Sequence, residues 1–190
     1  DINLARWIHY IAPFYPDFSW QQFENYTREF AIPTLGNLRE LSYGQQKKIL
    51  ISVALATNAP LLLMDEPTNG LDIHSKSQFR KVIAGAIDEK KCILISTHQV
   101  KDLENLIDNI TILEEGRILF HQSINRIAET LLFKLSVDPE ETAQALYSES
   151  SIKGQALLLP NRIGEDSRPD LEMLYKAVLT NGKKINALFA

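Results

Sequence analysis

Two acids and an imidazole are the first residues whose types and spacing could do chemistry. The apolar run Leu61-Leu62-Leu63-Met64 ends in Asp65-Glu66-Pro67, and a second run, Cys92-Ile93-Leu94-Ile95-Ser96, ends in Thr97-His98. Each has the length of a strand, and a continuous apolar strand is expected to be buried on both faces, as in a parallel sheet. In open α/β sheets, ligands bind outside the carboxyl ends of the strands. Asp65 and Glu66 stand at one such end and His98 at another. A solvated strand terminus explains an acidic pair alone about as well; the histidine at the end of a second core strand favours a ligand. Another feature is Ser42-Tyr43-Gly44-Gln45, at the head of a long helical run. A helix N-terminus offers free N–H groups and positive partial charge, which suit an anion. Gly44 lets backbone approach a phosphate closely. The capping-box spacing of Ser42 and Gln45 also fits an ordinary helix start.

The elements that must position these residues alternate between helix and strand, which indicates an α/β sheet with helices packed on it. Leu4 to Ile11 reads as a short helix stopped by Pro13 and Pro16. A second helix starts at Ser19, carries Trp20, Phe23, Thr27 and Phe30 on one face, and is closed by Pro33 and Gly36. The aromatic opening, Trp7, Tyr10, Phe14, Tyr15, Phe18 and Trp20, is expected to pack the core of this helical subdomain, with a docking surface for a membrane-spanning partner as the alternative. From Ser42 a buried helix carries Ile49, Leu50, Val53, Ala54 and Thr57 at helical intervals. Phe79, Val82, Ile83, Ala86 and Ile87 define another, and Val100 to Ile107 a further one. Ile110 to Leu113 and Arg117 to Phe120 flank Glu114-Glu115-Gly116, a hairpin pattern. Beyond a boundary near Ser123 the tail reads as a small α+β appendix. Its last amphipathic helix, through Leu171, Leu174, Tyr175, Val178 and Leu179, is expected to be capped by Asn181-Gly182. The segments are therefore residues 1–57, 58–122 and 123–190.

Composition narrows the class. The chain has 190 residues, 45% hydrophobic and 23% charged, an ordinary globular mix. Its net charge of −4 leaves no electrostatic footprint for nucleic acid, which is not expected as a partner. A single cysteine, Cys92, excludes an intrachain disulfide and is expected to be a buried core residue. No apolar stretch approaches the ~20 residues that span a bilayer, and Asp1-Ile2-Asn3-Leu4 does not resemble a secretion signal. Contact with a membrane is expected to go through a partner. His9, His74 and His121 lack the context of His98 and read as surface residues.

Taken in order, the motifs resemble a family. Leu61 to Pro67 resembles the Walker B segment of ATP-binding cassette (ABC) ATPases, and Thr68-Asn69-Gly70-Leu71-Asp72 the D-loop that follows it. Ser96-Thr97-His98 is similar to the switch-histidine segment, and Leu41-Ser42-Tyr43-Gly44-Gln45 to the family signature, with Tyr43 where glycine is commonest. Order and spacing are family-like from Leu41 to Phe120, and the likeness extends more loosely over Asp1 to Glu40. The pattern is most similar to ATPase subunits of bacterial ABC-2-type exporters. It implies an α/β fold: part of a P-loop NTPase core, with a helical subdomain and a small α+β C-terminal appendix. It also implies that Asp65 holds Mg²⁺ through water, that Glu66 polarises the attacking water, and that His98 contacts the γ-phosphate of ATP. Ser42, Gly44 and Gln45 would contact ATP bound to the opposite subunit. Asp72 would lie at the dimer interface, or equally serve as a helix N-cap. The implied partners are a second ABC ATPase subunit and a transmembrane permease, which place the protein peripherally at the cytoplasmic face of the membrane.

The family's phosphate-cradling loop has the form G-x-x-x-x-G-K-[ST]. No pair of the 8 glycines has that separation. The chain is therefore expected to begin partway through the domain and, alone, neither to bind ATP tightly nor to hydrolyse it. Two other readings stand beside the transporter: a soluble ABC-type ATPase acting on ribosomes or DNA, and a non-catalytic interaction fragment.

Overall fold

A computed structural model describes residues 3–33 and 37–190; Gly36, expected to help close the second helix, lies outside the described residues. The chain forms two compact units, Asp1–Leu106 and Ile107–Ala190.

In the first unit, α1 (Leu4–Ile11) is capped by Asn3, whose Oδ1 accepts from the Ala5 N–H at 2.9 Å. Helix α2 (Trp20–Glu29) starts where the Ser19 hydroxyl accepts from the Gln22 N–H at 3.3 Å, and it buries Phe23, Tyr26 and Thr27. Helix α3 (Tyr43–Ala56) opens on a complete capping box. Ser42 Oγ accepts from the Gln45 N–H at 3.3 Å, and the Gln45 side chain accepts from the Ser42 N–H at 2.9 Å. The pair satisfies N–H groups that no helical carbonyl can reach. Ser42→Ala is expected to cost about 1 kcal/mol of unfolding free energy, read from the denaturant midpoint. Further along α3, Ile49 and Leu55 are fully buried, each stabilising by about 1.5–3 kcal/mol relative to exposure.

Strand β1 (Leu61–Asp65), helix α4 (Ile73–Ala86) and strand β2 (Cys92–Ser96) follow. The strands pair in parallel, Leu61 against Cys92 through Asp65 against Ser96. This register sets the two strand tips side by side.

Several expectations fail here. The strands are not buried on both faces. Leu62 and Met64 point inward, while Leu61, Leu63 and Leu94 are 56%, 70% and 57% exposed. Side chains alternate across a strand, so the register places Cys92 on that open face, and it is exposed rather than buried. Val100 to Ile107 does not form an α-helix. Only a 3₁₀ turn, Val100–Asp102, appears, because Gln99 offers no side-chain cap and the Asp102 carboxylate is drawn to Lys76 of α4 at 2.7 Å. The aromatic opening is largely a surface: Tyr10, Phe14, Tyr15 and Trp20 are exposed.

The second unit begins with a hairpin, β3 (Asn109–Glu114) and β4 (Arg117–Ser123). Ser123 caps α5 (Ile124–Thr130), which runs into β5 (Leu131–Ser136). Asp138 and Pro139 start α6 (Pro139–Gln144), as their N-cap and N1 pattern requires. Strands β6 (Tyr147–Ser151) and β7 (Gly154–Pro160) complete an antiparallel sheet of order β5-β7-β6. Helix α7 (Leu171–Asn186) packs on β4 and β7, burying Leu174, Ala177 and Ile185 completely. Phe120 of β4 meets Phe189 edge to face at 5.2 Å, so the hairpin packs with the tail inside the second unit. Asn181-Gly182 does not end the last helix. Asn181 leaves helical geometry (φ −130°, ψ 28°) and donates its side-chain amide to the Leu146 carbonyl at 2.7 Å, so α7 kinks there and continues.

Candidate active site

The paired tips of β1 and β2 bring Asp65, Glu66 and His98 together. The Glu66 N–H donates to the Ser96 carbonyl at 3.0 Å, extending the ladder by one rung. Glu66 then takes φ +43°, a left-handed conformation that costs a non-glycine residue about 1–3 kcal/mol. The Glu66 carboxylate is held from three donors on the neighbouring tip. Its Oε1 accepts from the His98 N–H at 2.9 Å and from His98 Nδ1 at 2.6 Å, and its Oε2 accepts from the Thr97 hydroxyl at 3.1 Å. Burial pushes the carboxyl pKa up, but the bonds from the His98 ring, the His98 backbone and Thr97 together outweigh it and hold Glu66 below the ordinary glutamate range. Glu66 is thus an anion that only accepts, so His98 carries its hydrogen on Nδ1.

Hydrogen bonds continue past the ring. Lys76 Nζ donates to Gln99 Oε1 at 2.7 Å, which turns the Gln99 amide nitrogen towards His98 Nε2 at 3.4 Å. Lys76, Gln99, His98 and Glu66 therefore form one chain of consistent donor–acceptor polarity. Asp65 accepts from the Ser96 hydroxyl. Among the described residues no group of three or more His, Cys, Asp or Glu side chains stands together to hold a metal. One strand-tip carboxylate beside a hydroxyl fits Mg²⁺ carried largely by phosphates and waters, since this ion dehydrates reluctantly and rarely uses an all-protein cage.

The turn after Glu66 closes with the Asn69 N–H on the Glu66 carbonyl at 3.2 Å. Asp72 then caps α4, accepting from the Ser75 N–H at 2.7 Å. The Ser75 backbone N–H, and next the Ser75 hydroxyl, keep the Asp72 carboxyl below its usual range. Ser42 and Gln45 engage each other in the capping box, and Gly44 lies in the first turn of α3.

The sequence reading missed the lysines. Lys47 donates to the carbonyls of Glu66 at 2.6 Å and Asn69 at 2.8 Å. Burial pushes its ammonium pKa down, while the Glu66 and Asp65 carboxylates pull it back up. Its position four residues after Tyr43 was the only available signal. Lys76 lies one turn into α4, and nothing local links it to residue 99.

Residues 19–69 match the family model described as ABC transporter. An uncharacterized ABC transporter ATP-binding protein of Methanocaldococcus jannaschii is 32% identical over 96 residues, 50% of this chain and 37% of that protein. The ABC transporter ATP-binding protein NatA of Bacillus subtilis is 30% identical over 109 residues, 56% of this chain and 44% of NatA. Among solved structures, an ATP-binding subunit of an ABC transporter superposes with a TM-score of 0.57 at 25% identity, over 67% of this chain and 55% of that one. The first part of the chain is thus similar to ABC transporter ATP-binding proteins in sequence and in fold, and its matched stretch spans less than half of either relative.

Proposed function

We propose that the protein is the ATP-binding subunit of an ABC transporter, of the ABC-2 exporter kind, coupling ATP binding and hydrolysis to substrate movement through a membrane permease. The supporting observation is the meeting of Glu66 and His98 at two parallel strand tips, with Asp65 beside them. Glu66 accepts a hydrogen bond from the attacking water and polarises it. His98 turns from Glu66 to the γ-phosphate and holds water and phosphate in line. Through water, Asp65 would hold Mg²⁺, which would supply charge neutralisation at the phosphates. Ser42, Gly44 and Gln45 present the N-terminus of α3 to ATP held by a second cassette subunit. Asp72 lies at that dimer interface while capping its own helix. Attachment to the membrane goes through the permease at the cytoplasmic face; none of the described helices is long and apolar enough to cross a membrane.

The test is phosphate release with ATP and magnesium. The complete protein is expected to sustain it, and His98→Ala to lower it by about 100-fold, because loss of in-line positioning costs that much. The 190-residue chain, which has no G-x-x-x-x-G-K-[ST] loop, is expected to release none and to show no micromolar ATP binding by calorimetry. Absent release by the complete protein, or an unchanged His98→Ala rate, overturns this reading.

A further inference from the structure

One face of the first turns of α3 is fastened to the loop that carries Glu66. Tyr43 and Lys47 are four residues apart and so share a face. The Tyr43 ring lies over Gly70, where a Cβ would come within 3.0 Å of Cε1. Lys47 Nζ sits 5.9 Å from the centre of that ring and bonds the carbonyls at both ends of the Glu66–Asn69 turn, at 2.6 and 2.8 Å. An ammonium has three donors and no acceptor, so two of its three bonds go to this turn. The turn needs them, because Glu66 stands at φ +43° and its left-handed geometry must be enforced from outside. Lys48, next in sequence, points elsewhere. Its Nζ donates to Gln78 Oε1 at 3.0 Å and to the Phe30 carbonyl at 3.4 Å, tying α3 to α4 and to the end of α2.

We infer that Lys47 is a positioning residue for Glu66: its ammonium fixes the backbone from Glu66 to Asn69, and with Tyr43 it makes the N-terminal end of α3 mechanically continuous with the hydrolytic carboxylate. This rests on the proposed ATPase reading. Ser42, Gly44 and Gln45 occupy the same helix end, so a nucleotide drawn onto that end by a second subunit pulls on Glu66 through Lys47.

The experiment combines amide hydrogen exchange with steady-state kinetics on the complete protein. Lys47→Met is expected to speed exchange at the Asn69 amide at least about tenfold and to lower kcat by about 10- to 100-fold with little change in KM, since small misplacements of a reacting group have effects of that size. Lys47→Arg, which can still donate to two carbonyls, is expected to restore both. Lys48→Met, a packing control, is expected to leave both as in the parent protein. If Lys47→Met does not fold, Tyr43→Ala decides. That ring is 67% exposed, and its loss is expected to speed exchange at Gly70 and lower kcat in the same direction. Unchanged exchange and kcat in Lys47→Met, or in Tyr43→Ala where it stands in, overturn the inference, as does an equal effect from Lys48→Met. A parent protein that hydrolyses no ATP overturns the proposed function instead, while the exchange comparison still decides the role of Lys47.

Discussion

Glu66→Gln in the complete protein is expected to slow ATP hydrolysis by about 10²–10⁴-fold, a barrier increase of about 3–5 kcal/mol, with ATP affinity nearly unchanged. Glutamine has the same shape, so its carbonyl oxygen can still accept from the His98 N–H and Nδ1–H. The Thr97 hydroxyl, which both donates and accepts, can take a bond from the new amide nitrogen. What disappears is the negative charge. In the parent protein that charge survives well into acid, because the hydrogen bonds from His98 and Thr97 outweigh burial and keep the carboxyl below its usual pKa. With the folded value depressed, the Glu66 contribution to stability is present above the unfolded pKa and lost as pH falls through the folded one. On the proposed ATPase reading, the acid limb of hydrolysis is accordingly expected to lie below the ordinary glutamate range. Phosphate release together with nucleotide-binding fluorescence checks the prediction, and undiminished turnover removes Glu66 from the role of base.

The largest expected effect on stability lies in the second unit. Gly154 stands at φ +127°, and a Cβ there would sit 2.5 Å from the Ser136 carbonyl oxygen and 3.0 Å from Val137 Cγ1. The first of these atoms is backbone of the paired strand β5 and cannot rotate away. Gly154→Ala is therefore expected to destabilise by about 2–5 kcal/mol, combining a glycine-only conformation with overpacking. At roughly 4–8 °C per kcal/mol for a unit of this size, thermal unfolding followed by circular dichroism resolves it easily. Gly85→Ala is the matched control. It lies within α4 with nothing within 4 Å of the added Cβ, and helix propensity predicts a gain of about 0.5–1 kcal/mol. Equal Tm values for the two variants would refute the argument.

Local physics wrote much of this fold into the sequence. Ser42 and Gln45 announced α3 because a capping box is settled within four residues, and Asp138-Pro139 announced α6 for the same kind of reason. The apolar runs before Asp65 and Thr97 located the strand tips, and hence the meeting place of Glu66 and His98. What stayed hidden was decided by partners far along the chain. The stretch after Val100 has helical spacing, yet Lys76 takes Asp102 and the helix shrinks to a 3₁₀ turn. Asn181-Gly182 looks like a helix end, yet the Leu146 carbonyl captures Asn181 and α7 passes through. Lys47 reads as a polar position on a helix, and only the folded chain reveals the two carbonyls it binds.

The leucines along the open side of β1 and β2 bear on how this polypeptide is expected to behave in a test tube. Among the described residues, each strand of this two-stranded ribbon has a backbone edge without a strand partner as well as an oily side, and both invite adhesion. Sulfate and other strongly excluded salts raise the reward for covering such a surface, whereas urea at sub-denaturing levels lowers it. Dilute stocks and chaotropic rather than salting-out conditions thus suit its handling, and turbidity in ammonium sulfate is expected to fall when Leu63 is replaced by a polar residue.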